Sequence, residues 1–352
     1  MAVFNREMLT LARESRDHTQ TLLASELGIS QAEVSKYETG LKVPTDEMVR
    51  RFAARLEYTP EFFFLNESIR SFGSGCVYHR KKQSATETKL QHLLAMINVK
   101  RIQVKQLMKA VNSRQPAIFA PLDIDEHAGG AAEVARKLRQ LWHLPPGPIQ
   151  NLIRAVEDAG GIVIQCDFGT DKVDALSQSL PSYPPIFLIN SAIPTDRMRF
   201  TLAHEIGHIV MHRLPPSDGD MERQADQFAA EFLMPESQIR PQFSFVNLQK
   251  LAALKPYWRV SMNSLLYRAA EIGAIDSRRK SYLWMLMGQA GYRKTEPVTI
   301  PREEPMALFE LLDVHRVSLG YQQTEIDELL CEPGGFSEFR QSINGGGLRL
   351  VK

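Results

Sequence analysis

Two histidines four residues apart, with a glutamate directly after the first, are the part of this chain best suited to chemistry. They lie in Phe200-Thr201-Leu202-Ala203-His204-Glu205-Ile206-Gly207-His208. On a helix, positions i and i+4 share one face, a turn apart. Both imidazoles can then reach one Zn²⁺ at about 2.0–2.1 Å. Glu205 projects along the same side and can take the proton of a water as it attacks a carbonyl carbon. The apolar residues around the motif suit a helix buried in the floor of a site.

A hydrolytic zinc keeps three protein ligands and one open position, so a third ligand must come from elsewhere. Downstream, Glu222, Ala225, Ala229 and Phe232 recur at helical spacing. Glu222 and Asp226 are four apart and share a face. Glu222 is therefore the expected third ligand. Asp226 is expected behind the metal ligands, accepting the spare N–H of a ligating histidine and fixing its tautomer. Glu231 is a rival ligand but lies off that face. His212 continues the 204/208 series by one turn; as a fourth ligand it would close the site, so a packing or outer role is expected. The loop Pro215–Asp220 is long enough to let the two helices turn back on each other. Metallopeptidases take substrate as an added strand on a sheet edge. Phe187–Asn190 is the expected edge, with an ordinary core strand as the alternative. For stabilising the oxyanion, Tyr183, Tyr267 and Arg199 are candidates that spacing does not separate.

The N-terminus carries a second pattern. Leu23, Ala24 and Leu27 line one face of a short helix, and Gly28 suits the left-handed turn at its end. Ser30, with Glu33 three residues on, reads as a capping box for the next helix. Val34 and Tyr37 then face inward, while Gln31, Ala32, Ser35 and Lys36 face outward. That is a helix-turn-helix whose second helix is shaped for a major groove. Gln31 can read adenine bidentately, and Ser35 and Lys36 can reach bases or phosphates. Gln20 and Ser30, at the helix N-termini, are expected at the DNA contact as well. Thr45 is expected to cap a fourth helix, and Tyr58–Phe64 to begin a fifth. The alternative is a small helical bundle used for protein contact. Few cations lie in the reading helix, so Arg80-Lys81-Lys82 or the basic stretch 100–109 could supply the attraction to phosphates.

These motifs need elements to hold them. Leu90, Leu93, Leu94, Ile97, Ile102, Val104, Leu107 and Met108 predict one amphipathic helix or two over Glu87–Val111. Helices are expected over Ala131–Leu144 and Ile149–Ala159, with a break at Pro145-Pro146-Gly147-Pro148. Ile162–Ile164 and Ile186–Asn190 read as strands, and helix follows from about Asp196. The chain of 352 residues has 42 Lys and Arg against 41 Asp and Glu, which excludes a uniformly basic nucleic-acid coat. The charge is uneven: Glu67 to Arg114 carries a local net of +8 and Arg302 to Arg340 one of −6. Such segments have separate partners, face each other or are solvated helix faces. Cys76, Cys166 and Cys331 lie far apart, which fits a reducing cytoplasm better than a disulfide framework. No run is long and apolar enough for a membrane helix, and the start lacks the pattern of a secretory signal.

With those residues in place, two resemblances can be stated. Residues 6–64 resemble the XRE-type (Cro/repressor-like) helix-turn-helix, which binds operator DNA, commonly as a dimer. Residues from about Gly160 to Pro235 resemble the ImmA/IrrE metallopeptidase family. That match rests on Arg199 to His208, on Glu222 with Ala225-Asp226, and on Phe228-Ala229-Ala230 through Leu233-Met234-Pro235. The resemblance implies a zincin-type site and proteolysis of a partner, typically a DNA-bound repressor. The expected fold is multidomain and mainly α with a small α+β part. Its expected pieces are a five-helix helix-turn-helix domain (1–68), a basic helical connector (69–130), a zincin-like peptidase domain with a short sheet (131–255) and a helical C-terminal region (256–352). The expected function is a cytoplasmic DNA-binding regulator, acting as a homodimer, whose zinc endopeptidase domain cleaves a repressor or other regulatory protein. The alternative is a transcription factor or antitoxin in which the zinc domain is structural or sensory.

Overall fold

Hydroxyl caps start the first helices where the sequence places them. In the computed structural model, which describes residues 3–69, 77–81, 86–109, 119, 121–180, 183–212 and 220–336, α1 spans Arg6–Ser15, α2 Gln20–Leu27, α3 Gln31–Thr39 and α4 Asp46–Leu56. Thr19, Ser30 and Thr45 each accept the backbone N–H three residues on, satisfying donors a helix leaves open. Gly28 and Gly40 end α2 and α3 at φ of 64° and 78°, a region that strains any side chain. The capping box at Ser30 is only half formed. Glu33 does not reach back; it accepts from Tyr37 Oη at 3.2 Å and from Lys42. The expected fifth helix is a 3₁₀ turn, Pro60–Phe64, which ends where Leu65 turns extended.

After it come β1 (Val77–Lys81), α5 (Glu87–Lys109), α6 (Gly130–Leu141) and α7 (Leu152–Asp158). Strands β2 (Ile162–Cys166), β3 (Val173–Gln178) and β4 (Ile186–Asn190) precede α8 (Thr195–Met211) and α9 (Met221–Leu233). The remaining helices are α10 (Glu236–Ile239), α11 (Leu248–Trp258), α12 (Met262–Glu271), α13 (Ser277–Gln289), α14 (Ala307–Asp313) and α15 (Gln323–Leu330). The architecture is mainly helical with one small sheet, as expected. The loop expected at Pro215–Asp220 lies outside the described residues except for Asp220.

The packing cuts across the linear boundaries. Residues 3–69, 86–109 and 307–336 form one unit; residues 77–81 and 119–306 form another. In the first unit, Met8, Leu9, Leu23, Val34, Tyr37, Phe52, Leu56 and Phe63 make a core that Ala95, Val99 and Ile102 of α5 and Cys331 complete. Helix α5 is thus part of this core, not a separate connector. The uneven charges meet here. Glu332 accepts from Arg16 at 2.6 Å and Gln103 at 2.5 Å, with Lys100 at 3.8 Å, while Glu67 holds Arg101 and Lys105. These contacts engage much of the basic stretch that the sequence offers to phosphates. The side chains of Arg80-Lys81-Lys82 lie outside those described.

In the second unit the sheet order is β1-β3-β4-β2. Strands β1/β3 and β3/β4 pair antiparallel, β2/β4 parallel. Strand β4 is therefore central and every residue of it is buried, which explains its unbroken apolar run. It is not the edge expected for substrate; with β3 on one side and β2 on the other, it has no open backbone. Helices α11 to α13 share the core of the metal-motif helix through Trp258, Leu265, Leu266, Leu283 and Met287. This unit therefore runs well past the expected boundary at residue 255. The segment after α13 is tied down by two carboxylates. Glu296 accepts from Met262 N–H at 2.9 Å and from Lys255 at 2.6 Å. Glu303 accepts from Leu152 and Ile153 N–H at 2.7 and 3.0 Å, and pairs with buried Arg199 of α8.

Candidate metal centre and DNA-reading face

Helix α8 carries His204 and His208 on one face, as their spacing requires. Both are buried at 1% exposure. Their Nε2 atoms stand 3.0 Å apart. From α9, Glu222 brings one carboxylate oxygen to 3.3 Å from His204 Nε2 and the other to 3.2 Å from His208 Nε2. The three side chains offer ligand atoms that lie within 4.8 Å of one another. A tetrahedral ion with bonds near 2.0–2.1 Å separates its ligand atoms by about 3.3 Å, so this triangle fits such an ion. Gly207 permits the approach of α9: a Cβ there would meet Phe228 side-chain atoms at 3.0–3.3 Å.

The surroundings prepare the imidazoles as ligands. His204 Nδ1 lies 2.8 Å from Asp226 Oδ1, which puts the proton on Nδ1 and the lone pair on Nε2. His208 Nδ1 faces His212 Nδ1 at 3.1 Å, and His212 Nε2 faces Gln224 Oε1 at 2.8 Å. The two Nε2 atoms stand close enough to share one proton or one cation between them. The electrostatics of the metal-free site say the same. Burial alone would lower His204, yet Asp226 and Glu222 hold it up at about 9. The hydrogen bonds from both histidines hold Glu222 far below the usual carboxylate range. This is a pocket built for positive charge. Burial pushes His212 down to about 4, in keeping with an outer position.

Glu205, next to His204 in the chain, reaches the sheet through one carboxylate oxygen. It is wholly buried, and Ser177 Oγ lies 2.5 Å from its Oε2. Spacing did not reveal Ser177. Strand β3 reads Val-Asp-Ala-Leu-Ser-Gln and lacks the β-branched run that marks its neighbours. Glu231, the rival ligand, is instead paired with Arg268 and Arg136. Arg199 is committed to Glu303, and Tyr267 carries Lys280 over its ring at 3.6 Å; Tyr183 is exposed at 37%. Of the three, Glu222 is the one that meets solvent, with its side chain 66% exposed. A cleft of about 1510 Å³ shares Asp226, Gln227 and Phe200 with the surroundings of the centre.

The other predicted residues gather on the face of α3. Gln31, Ala32 and Lys36 are exposed, Ser35 is partly so, and Val34 and Tyr37 are buried. A chain of hydrogen bonds runs inward from Gln31. Its Nε2 donates to Gln20 Oε1 at 2.7 Å, Gln20 Nε2 donates to Glu38 Oε2 at 2.6 Å, and Arg13 clasps Glu38 at 2.6 and 3.1 Å. Arg13 and Glu38 were not singled out by sequence; a lone Arg and Glu 25 residues apart carry no periodic signal. Ser30 serves as the N-cap.

A helix-turn-helix module and a domain with a His-His-carboxylate centre therefore share one chain. Residues 9–63 match the family model described as helix-turn-helix, and residues 156–270 match the one described as IrrE N-terminal-like domain, a peptidase family. The chain is thus a fusion of an XRE-type helix-turn-helix with an IrrE/ImmA-like peptidase-family domain. No curated protein matches it. Among the described residues, no helix is long and apolar enough to cross a membrane.

Proposed function

We propose that this is a DNA-binding regulator with a zinc-dependent endopeptidase domain that cleaves a partner repressor or other regulatory protein. The observation that carries the reading is the triangle of His204, His208 and Glu222 with Glu205 beside it in the chain. In this reading His204, His208 and Glu222 hold Zn²⁺, and Asp226 keeps His204 in its ligating tautomer. A bound zinc would supply Lewis-acid polarisation of the scissile carbonyl and acidify water. Glu205 takes the proton of the attacking water and passes it to the leaving amide nitrogen.

The helix-turn-helix brings the peptidase to DNA. Gln31, Ser35 and Lys36 read the major groove, and Gln20 and Ser30 contact the phosphate backbone beside it. Two copies read a two-fold operator, so the working form is a homodimer in the cytoplasm.

The deciding experiment is Glu205→Gln in the full chain, with zinc content and hydrolysis of labelled casein measured together. The variant should retain zinc and lose cleavage; cleavage at the wild-type rate refutes the assignment. The complete burial of Glu205 favours a second reading, a non-catalytic transcription factor or antitoxin with a structural or sensory zinc. A zinc-loaded wild-type chain that binds operator DNA yet cleaves no protein establishes that reading instead.

A further inference from the structure

The orientation of Glu205 poses a physical problem. Its two carboxylate oxygens are both buried. Oε2 accepts from Ser177 Oγ at 2.5 Å, whereas Oε1 has no hydrogen-bond partner among the described residues. One turn earlier on the same face of α8, the buried hydroxyl of Thr201 is also without a partner. Buried polar atoms are matched in nearly all folded proteins, and unmatched ones mark a role or an ordered water. Here an acceptor and a hydroxyl lie four residues apart on α8, the acceptor on the residue that directly follows His204.

Ser177 is well placed to fix which oxygen is left over. Its strand is held in register by β4, where Ser177 pairs with Phe187, and it is wholly buried. Its side chain has one rotatable bond before the hydroxyl, so little freedom is lost in holding it. The hydroxyl donates to Oε2 whether Glu205 is ionised or carries a proton on Oε1, because Oε2 remains an acceptor in both forms.

We propose that Ser177 is a positioning residue for Glu205: by holding Oε2 it presents Oε1 as the atom that accepts the proton of the attacking water. This inference rests on the peptidase reading above and deepens it. In the step it serves, a water O–H bond breaks and its proton goes to Oε1. The water oxygen bonds to the carbonyl carbon, and the proton then moves to the amide nitrogen as the C–N bond breaks. The second water proton first stays on the new acid oxygen and then passes to the amine, so the products are a carboxylate and an ammonium group.

The test compares wild type, Ser177→Ala and Ser177→Thr as full chains. A first measurement needs neither metal nor turnover. In urea unfolding of the metal-free chain, Ser177→Ala should be destabilising in the wild-type background and much less so in a Glu205→Leu background; equal effects would mean the two side chains do not interact. A second uses the zinc-loaded chain and acetohydroxamate, whose hydroxyl oxygen takes the place of the attacking water. By calorimetry Ser177→Ala should bind it about tenfold more weakly at unchanged zinc content, and Ser177→Thr should recover the affinity. In casein hydrolysis, kcat should fall about ten- to a hundredfold with KM nearly constant, again recovered by threonine. Wild-type affinity for acetohydroxamate in Ser177→Ala sinks the role of Ser177, whatever cleavage is seen. A chain that binds zinc and acetohydroxamate normally yet cleaves nothing sinks the peptidase reading instead.

Discussion

Asp226 stands 2.8 Å behind His204, on the nitrogen opposite the one that faces His208 and Glu222. The carboxylate therefore sets the tautomer of the imidazole without touching the metal position. Replacing it with Asn keeps the shape but removes the charge. Asp226→Asn should weaken zinc binding about 10- to 100-fold, measured by competition with a chromogenic chelator. Glu222→Ala, which removes a ligand, should weaken it further. Equal affinities in Asp226→Asn and wild type would remove Asp226 from the centre.

In the metal-free protein, the contribution of His204 and His212 to stability should peak near pH 6.5. His204 is held at about 9 against an ordinary 6.5. A raised value means that its contribution is complete below about 6.5 and fades as pH rises through 9. Burial drives His212 to about 4, so its contribution is complete above about 6.5 and is lost as pH falls toward 4. Thermal midpoints of the chelator-treated chain across pH 4–10 report both limbs. Asp226→Asn should flatten the alkaline limb, and saturating zinc should abolish it because the ligands must then be deprotonated.

On the DNA side, residues should separate by what they contact. Gln31→Ala should cost about 1–3 kcal/mol and relax the preference at one base pair. Lys36→Ala should weaken binding evenly across sequences and lower the salt slope by about one. Gln20→Ala, which removes the partner that steadies Gln31, should imitate Gln31→Ala in part. Filter binding against an operator library at several salt concentrations distinguishes the three.

Glu332 should matter to the helix-turn-helix despite its distance in sequence. It gathers Arg16, Lys100 and Gln103 at a side-chain exposure of 11%. Burial opposes its ionisation, but Lys100 and Arg16 hold its carboxyl below the ordinary range. Glu332→Ala leaves those cations uncompensated and should cost about 2 kcal/mol, less than a fully buried pair because Arg16 stays about a quarter exposed. Urea unfolding and operator affinity should fall together.

The motifs were legible because they are local. Helical period placed His204 and His208 on one face, and the same rule carried Glu222 and Asp226 onto the next helix. The caps at Ser30 and Thr45 follow from residue type alone. What stayed hidden depends on long-range pairing. Strand β3 has polar residues at Asp174, Ser177 and Gln178, and only its position between β1 and β4 makes it a strand. The rank of β4 within the sheet is likewise invisible to a one-dimensional pattern: an apolar run fits an edge or a centre equally. Arg199 with Glu303 and Arg13 with Glu38 join residues 104 and 25 apart, where no period applies.

The core that encloses Leu9, Val34 and Phe52 is finished by Cys331 near the far end of the chain. Residues 307–336 pack into the same unit as residues 3–69, so a chain cut after α13 should keep the helix-turn-helix helices but lack Cys331 in their core.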